Sequence, residues 1–302
     1  LNKQKMNEKI FDNNISIVIV IYHEEYSLIS KTLTHLNSFK KIIIDNSNNK
    51  YLKKKIEANF SISKYILNKK NSGFSAGHNQ GVKLSTSKYT MLLGPDCIIE
   101  EKDILNLTDI LLKNKNCSIA TPTSYDNNMN LTYSGGPLPE NGDKDHILDL
   151  SGNVCVESAL GACMLFETKK FINDKLLFDE NFFLYFSDDD LCRRIKKSKQ
   201  YIIQSFNSKC IHQHGNIKVK NIFIKKFIRE YNFTFDKFYY YFKINNHHNL
   251  IKNFKKKIPS YIIKFFFRLV FFKYVGAVDI FAKLFAYYKF RLKFLRRDGR
   301  VV

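Results

Sequence analysis

The chain has 302 residues, a formal net charge of +21, and a composition that is 44% hydrophobic and 15% aromatic. That is too apolar for a disordered chain and long enough to bury a sizeable core. Twelve Gly and five Pro exclude collagen-like and Gly/Pro-rich classes. The first 14 residues, LNKQKMNEKIFDNN, read as a polar N-terminal segment without the apolar run of a secretory signal. Ile15–Ile21 (ISIVIVI) is a β-branched run typical of a strand buried on both faces. Ser27 to Leu36 reads as a helix, Lys41–Asp45 as a second buried strand, Tyr51–Ala58 as a helix and Lys64–Leu67 as a third strand. A Gly-containing loop then opens a helix over Ala76–Leu84. Tyr89–Leu93 predicts a fourth strand ending at Gly94-Pro95-Asp96, Asp103–Lys113 a helix, and Ser118–Thr121 a fifth strand. Further on, Tyr201–Phe206 and Lys209–Ile211 read as strand segments.

Strands alternating with helices at this spacing predict an α/β fold with a mostly parallel central sheet. Ligands of such sheets sit beyond the carboxyl ends of the strands. That rule gathers Tyr22–Glu25, Asp45–Ser47 and Asp96 at one rim. The six cysteines, at 97, 117, 155, 163, 192 and 210, form no CxxC pair, which excludes zinc-ribbon and thioredoxin motifs. Their apolar surroundings suit reduced packing cysteines of a cytosolic protein.

Charge divides the chain. Residues 1–217 hold 28 Lys/Arg against 24 Asp/Glu, whereas 218–302 hold 21 against 4. The expected organisation is therefore a polar segment over 1–14, a globular domain over 15–217 and a basic, aromatic-rich helical region over 218–302. Pro259 to Tyr288 is strongly apolar but broken by Lys264, Arg268, Lys273, Asp279 and Lys283, so no stretch is long enough to span a bilayer. Lys257, Lys264 and Arg268 fall near one helical face, with Phe265, Phe266, Leu269 and Phe272 on the others. The pattern predicts a helix lying on an anionic membrane surface rather than on nucleic acid. Packing as a homo-oligomer interface and an ordinary solvated basic face are the other readings of this region.

Several motifs carry chemistry. In Asn71-Ser-Gly73-Phe-Ser-Ala-Gly77-His-Asn79-Gln-Gly81, Gly73 and Gly77 permit close backbone approach, and the following helix N-terminus suits a diphosphate. The stretch is neither GxGxxG nor a P-loop. Asp96, after a strand and a Gly-Pro corner, suits a hard divalent cation, and also suits a simple turn. FDENFFLYFSDDDLCRR over 178–194 opens a helix with three acids. Acids are favoured there by the helix dipole alone, yet a carboxylate beside an aromatic wall also suits a general base. His212 and His214 are candidate metal ligands or ordinary histidines.

Taken in order, these pieces resemble family 2 glycosyltransferases of the GT-A fold, and within them the rhamnosyltransferase-like bacterial branch that builds surface polysaccharides. The likeness covers roughly 15–215 and rests mainly on FDENFFLYFSDDDLCRR and NSGFSAGHNQG. It implies an inverting transferase that uses a nucleoside-diphosphate sugar, a glycan or lipid-linked acceptor and a divalent ion such as Mn or Mg. By that resemblance Tyr22 and Glu24 line the nucleotide site, Asp45 meets the base, and Asn71, Gly73 and Asn79 shape the pocket near the diphosphate. Asp96 stands as the last acid of the DxD motif and takes the metal. Asp188 stands as the catalytic base, with Asp189 the neighbouring register. His212 is the late metal- or phosphate-contacting histidine, with His214 competing. Gly94 replaces the first DxD acid and Ser187 replaces the Glu of the ED motif, so a weakly held or dispensable metal and a catalytically degenerate nucleotide- or glycan-binding protein are the accompanying readings. Nucleic acid is not expected as a partner. The expected location is the cytoplasm, peripheral on the inner face of the membrane.

Overall fold

The computed structural model describes residues 14–142, 149–213 and 221–295. The chain divides into two compact units, one of residues 1–180 and 187–218, the other of 181–186 and 219–302. The sequence reading kept 181–186 inside the first domain; these six residues instead group with the C-terminal helices.

The first unit begins with β1 (Ile15–Ile21), α1 (Tyr26–Thr34), β2 (Lys40–Asp45), α2 (Lys50–Asn59), β3 (Lys64–Leu67), α3 (Gly73–Leu84) and β4 (Tyr89–Leu93). It continues through β5 (Cys97–Ile99), α4 (Glu101–Lys113), β6 (Cys117–Tyr125), β7 (Gly135–Gly136), β8 (Asn153–Val156), β9 (Ser158–Ala159), β10 (Cys163–Glu167), α5 (Thr168–Asn173), α6 (Ser187–Lys197) and β11 (Tyr201–His212). The main sheet runs β3-β2-β1-β4-β10-β6-β11-β5, with β8 also on β11. The β3-β2-β1-β4 half is parallel, as is β6 with β11. β10 is antiparallel to both of its neighbours.

Period-2 alternation sets the layers. Ile15, Ile17, Ile19 and Ile21 of β1 face one layer with Ile29 and Leu33 of α1 and Ile56 of α2. Val18 faces the other with Val82 of α3, Ile42, Ile44 and Leu92. Apolar residues on both faces give the continuous β-branched run its reason: helices cover the strand from each side. The two strand segments expected over 201–211 form a single strand, β11, with a register shift between Ser205 and Lys209. α3 starts at Gly73, three residues before the expected position, because the Asn71 Oδ1 atom accepts the Gly73 N–H at 2.9 Å and Gly73 takes a φ of 83°. The short strands β5 and β7–β9 and the helix α5 carry too little periodicity to be read from sequence.

The second unit holds α7 (Ile222–Lys243), α8 (His248–Val270) and α9 (Tyr274–Phe290), ending in a π-helical turn over Arg291–Leu295. Its core is aromatic: Phe182, Phe235, Phe238, Tyr239, Tyr240, Tyr287 and Phe290 are buried together. The helical run expected over 259–288 is broken between α8 and α9. Phe272 adopts a φ of 54°, and Lys273 N–H bonds the Arg268 carbonyl at 2.7 Å. Arg268 then donates to the Gly276 carbonyl at 2.6 Å, closing the corner. No described helix is long and apolar enough to cross a membrane.

The seat of α3 on β1 is set by glycine. A Cβ at Gly81 would lie 2.2 Å from Val18 Cγ1. Gly81→Ala therefore lowers thermal stability by about 1–3 kcal/mol, the usual range for overpacking. Adding Val18→Ala restores part of that loss in a double-mutant cycle read by thermal unfolding.

Candidate functional site

The carboxyl ends of β1, β2 and β4 carry the expected rim. After β1, the Tyr22 N–H donates to the Glu24 carboxylate, and His23 between them takes a φ of 61°. Tyr22 and Glu24 are both half-buried. The Glu24 carboxyl is raised to about 7: burial is the main cause, opposed by the N–H groups of Tyr22 and Glu24 itself and aided by the charges of Asp96 and Asp45. The rim thus concentrates acids, which is the electrostatic condition for attracting a cation.

Asp45, at the end of β2, has no exposed surface. Its Oδ1 accepts the Ser47 N–H at 2.7 Å and the Ser47 hydroxyl at 2.5 Å, and its Oδ2 accepts the Tyr65 hydroxyl at 3.1 Å. The base-contacting role implied by the resemblance meets a carboxylate already engaged in holding its own turn. Next to it, Asn46 does work that the sequence did not signal. Its Oδ1 accepts from Asn68 Nδ2 at 2.9 Å and the Ser72 hydroxyl at 2.9 Å, and its Nδ2 donates to the Gly73 carbonyl at 3.1 Å. These bonds fix the Asn71–Gly73 loop and so aim the N-terminus of α3.

Within that loop Asn71 is half-buried and bonded to Gly73, as a pocket-shaping residue would be. Asn79, expected to help shape the pocket near the diphosphate, lies in the body of α3. It is buried on α3, and its amide is spent inside the protein: Nδ2 donates to the Phe178 carbonyl and to Glu180 Oε1, both at 2.9 Å, and Oδ1 accepts the Phe178 N–H at 2.9 Å. It ties α3 to the chain approaching α6.

Asp96 sits at the corner between β4 and β5. Gly94 N–H donates to the Ala162 carbonyl at 2.7 Å, and Thr32 of α1 donates to the Pro95 carbonyl at 2.8 Å. The paired strands β5 and β11 bring His212 opposite, with Nε2 3.5 Å from Asp96 Oδ2. Burial pulls the His212 pKa down, but the hydrogen bond and charge of Asp96 outweigh it, and the net shift is upward. Ligand atoms of Asp96, Cys97 and His212 all lie within 4.8 Å of one another. A carboxylate oxygen with an imidazole nitrogen is a donor pair that could hold a divalent metal ion. Cys97 fits less well, because its hydrogen bond with Cys210 and its burial raise its pKa far above the ordinary thiol value and keep it protonated. His214 lies outside the described residues.

Gly94, where the resemblance implies the first DxD acid, sits close to two side chains. A Cβ at Gly94 would lie 2.9 Å from Asp96 Oδ1 and 3.0 Å from Cys97 Sγ. A side chain there would have to displace the Asp96 carboxylate and the Cys97 thiol.

Of the three acids opening α6, two are spent. Asp189 is buried and accepts the Ser158 hydroxyl at 2.8 Å. Asp190 is buried against Arg194 at 3.0 Å, and Arg194 also holds the carbonyls of Lys175 and Leu177. Asp188 is half-exposed. Its Oδ2 accepts the Gly161 N–H at 3.1 Å and its Oδ1 the Asp189 N–H at 3.1 Å. A Cβ at Gly161 would stand 3.3 Å from Asp188 Cβ and 2.9 Å from Phe74 Cζ.

Residues 16–168 match the family model described as glycosyl transferase family 2, and the chain belongs to that family. No curated protein matches the chain. Among solved structures it is similar to a crystal structure of GalNAc-T7 with UDP, GalNAc and Mn2+, at 13% identity and a TM-score of 0.54 over 67% of this chain. It also resembles S. aureus TarS, at 11% identity and a TM-score of 0.49 over 66% of this chain. It spans 43% and 36% of those two chains. Family and fold together make the first unit a glycosyltransferase domain of the GT-A type.

The raised Glu24 carboxyl gives a signed pH effect. Its folded pKa lies above the ordinary value of 4.5, so its stabilising contribution is complete below 4.5 and is lost as pH rises through about 7. Thermal unfolding at pH 5 and pH 8 should show the parent losing more stability than Glu24→Gln over that interval.

Proposed function

We propose that the protein is an inverting glycosyltransferase that moves a sugar from a nucleoside-diphosphate donor to a hydroxyl of a glycan acceptor. The observation that carries this reading is Asp188: alone among the three acids of α6 it is half-exposed, and it is held by a backbone N–H at the β9–β10 corner. In the reaction Asp188 takes the proton of the acceptor hydroxyl. The acceptor oxygen forms the new bond at the anomeric carbon as the bond to the diphosphate breaks, and the electron pair leaves on the diphosphate. The N-terminal N–H groups of α3, aimed by Asn46, receive that charge. Asp96 and His212 would hold a divalent ion, which supplies charge neutralisation for the leaving group when bound. The rhamnosyltransferase-like motif supports a hexose or deoxyhexose donor and a role in bacterial surface polysaccharide synthesis.

Asp188→Asn preserves size and one of the two acceptor oxygens, which can stay on Gly161 at the expense of the Asp189 N–H bond, while removing basicity. It should cut nucleoside diphosphate release by about 10²–10⁴-fold at unchanged donor affinity, assayed on a panel of UDP-, dTDP- and GDP-sugars with Mn2+. Loss in Asp189→Asn with activity kept in Asp188→Asn would move the base by one residue. Binding of donors by the parent without any release would replace the transferase reading with that of a binding protein.

The acceptor is lipid-linked in this reading, and the helical unit meets the inner face of the cytoplasmic membrane. The support is the surface of α8. Ile263 is 70% exposed, Val270 68% and Phe272 77%, beside exposed Phe266, Phe267 and Phe271. Lys257, Lys264 and Lys273 are exposed on the same stretch. Apolar rings flanked by Lys suit an anionic headgroup layer, where each basic residue adds about 1 kcal/mol. Ile263→Ser with Phe266→Ser and Phe272→Ser should lower co-sedimentation with phosphatidylglycerol vesicles at least fivefold, and leave donor hydrolysis intact. A change in oligomeric mass with unaltered vesicle binding would assign the surface to self-association instead.

A further inference from the structure

Residues 181–186 run directly into Ser187 and Asp188, yet they belong to the helical unit. Every part of this strap is engaged there. Lys293 donates to Asn181 Oδ1 at 3.0 Å. Phe182 is buried against Tyr239, ring centroids 4.7 Å apart. Tyr185 and Phe186 pack on Phe233, and Phe186 also on Tyr240. At the centre is Asp236 of α7, which has no exposed surface. Its Oδ1 accepts the Phe183 N–H at 3.2 Å, and its Oδ2 accepts those of Leu184 at 3.0 Å and Tyr185 at 2.9 Å.

Three successive backbone donors on one buried carboxylate define a single strap conformation. A buried carboxylate is costly unless its lone pairs are filled, and here the strap fills them. Burial raises the Asp236 pKa to about 6 while the three N–H groups and Lys293 lower it, so near neutrality it is ionised and accepts all three bonds. The strap ends in strain: Phe186, immediately before Ser187, has a φ of 60°. An aromatic residue enters that region only when its surroundings hold it there. On the other side of the strap, Asn79 brackets Phe178 and Glu180.

We propose that Asp236 is a positioning residue for catalysis: by clasping the 183–185 backbone it fixes the left-handed turn at Phe186 and thereby the first turn of α6, which carries Asp188. The proposal rests on Asp188 being the base. In Asp236→Asn, an NH2 group faces backbone N–H donors in place of an acceptor, and the clasp opens.

The test is amide hydrogen exchange on the full chain, combined with kinetics. In the parent, the amides of Phe183, Leu184 and Tyr185 should be among the slow exchangers; fast exchange there overturns the proposal without any variant. In Asp236→Asn, peptides covering 181–190 should exchange at least tenfold faster. Ile280→Ala, a buried α9 residue away from the strap, serves as the control for general loosening, and should leave those peptides unchanged at a similar loss in Tm. Nucleoside diphosphate release from the responsive donor should fall at least tenfold in kcat with KM for the donor within twofold of the parent. Local exchange unchanged in Asp236→Asn, or equally raised in Ile280→Ala, contradicts the proposal. So does full kcat with the clasp open. Asp188→Asn run alongside separates the two failures: if it is active, the base assignment falls, while the exchange data still decide whether Asp236 fixes the strap.

Discussion

The antiparallel pairing of β10 with β4 is the constraint on which the rim depends. It sets Cys163 opposite Leu93, and the strand ends continue into one another's corners through the 2.7 Å bond from Gly94 N–H to the Ala162 carbonyl. One corner carries Asp96, and His212 reaches it along β11. The other carries Gly161, whose N–H holds Asp188. Two carboxylates from distant parts of the sequence are therefore tied to neighbouring backbone segments. Both corners are tight at a glycine: a Cβ at Gly94 would press on Asp96 and Cys97, and one at Gly161 on Phe74 and Asp188.

Electrostatics follow from the same crowding. Glu24, Asp45 and Asp96 are close enough that the latter two raise the Glu24 carboxyl. In a chain with a net charge of +21 this acidic rim is a local exception. An opposite charge would relieve the repulsion among these acids, so the rim is electrostatically suited to a cation. Asp96 also acts on His212: against the lowering effect of burial, its hydrogen bond and charge raise the imidazole pKa.

The sheet was legible because burial on both faces demands unbroken runs: ISIVIVI, KIIID and YTMLL each coincide with a strand. The three acids opening α6 were legible as a helix start because FDENFFLYFSDDDLCRR is one continuous stretch. Asn79 was legible as a polar residue of the NSGFSAGHNQG stretch, but not as one whose amide is consumed internally, since a hydrogen-bond partner 101 residues away leaves no local trace. Asn46 was missed for the same reason. The strap was missed because FFLYF reads as one aromatic run in either unit, and its partner, Asp236, looks like any helical acid until the three N–H groups beside it are seen. The break at Phe272 was hidden by apolar residues that suit a helix on both sides.

The central claim is that Asp96, His212 and the α3 N-terminus form one donor-binding rim facing Asp188. The most direct measurement is a crystal structure of the full chain soaked with Mn2+ and UDP, with the ion located by its anomalous signal. The account predicts a single strong peak coordinated by Asp96 and His212, with the UDP diphosphate bridging that ion and the N–H groups of Gly73 and its neighbours, and Asp188 lining the same cavity. An ion bound elsewhere, or a diphosphate held away from α3 while Asp96 and His212 remain paired only with each other, would contradict it.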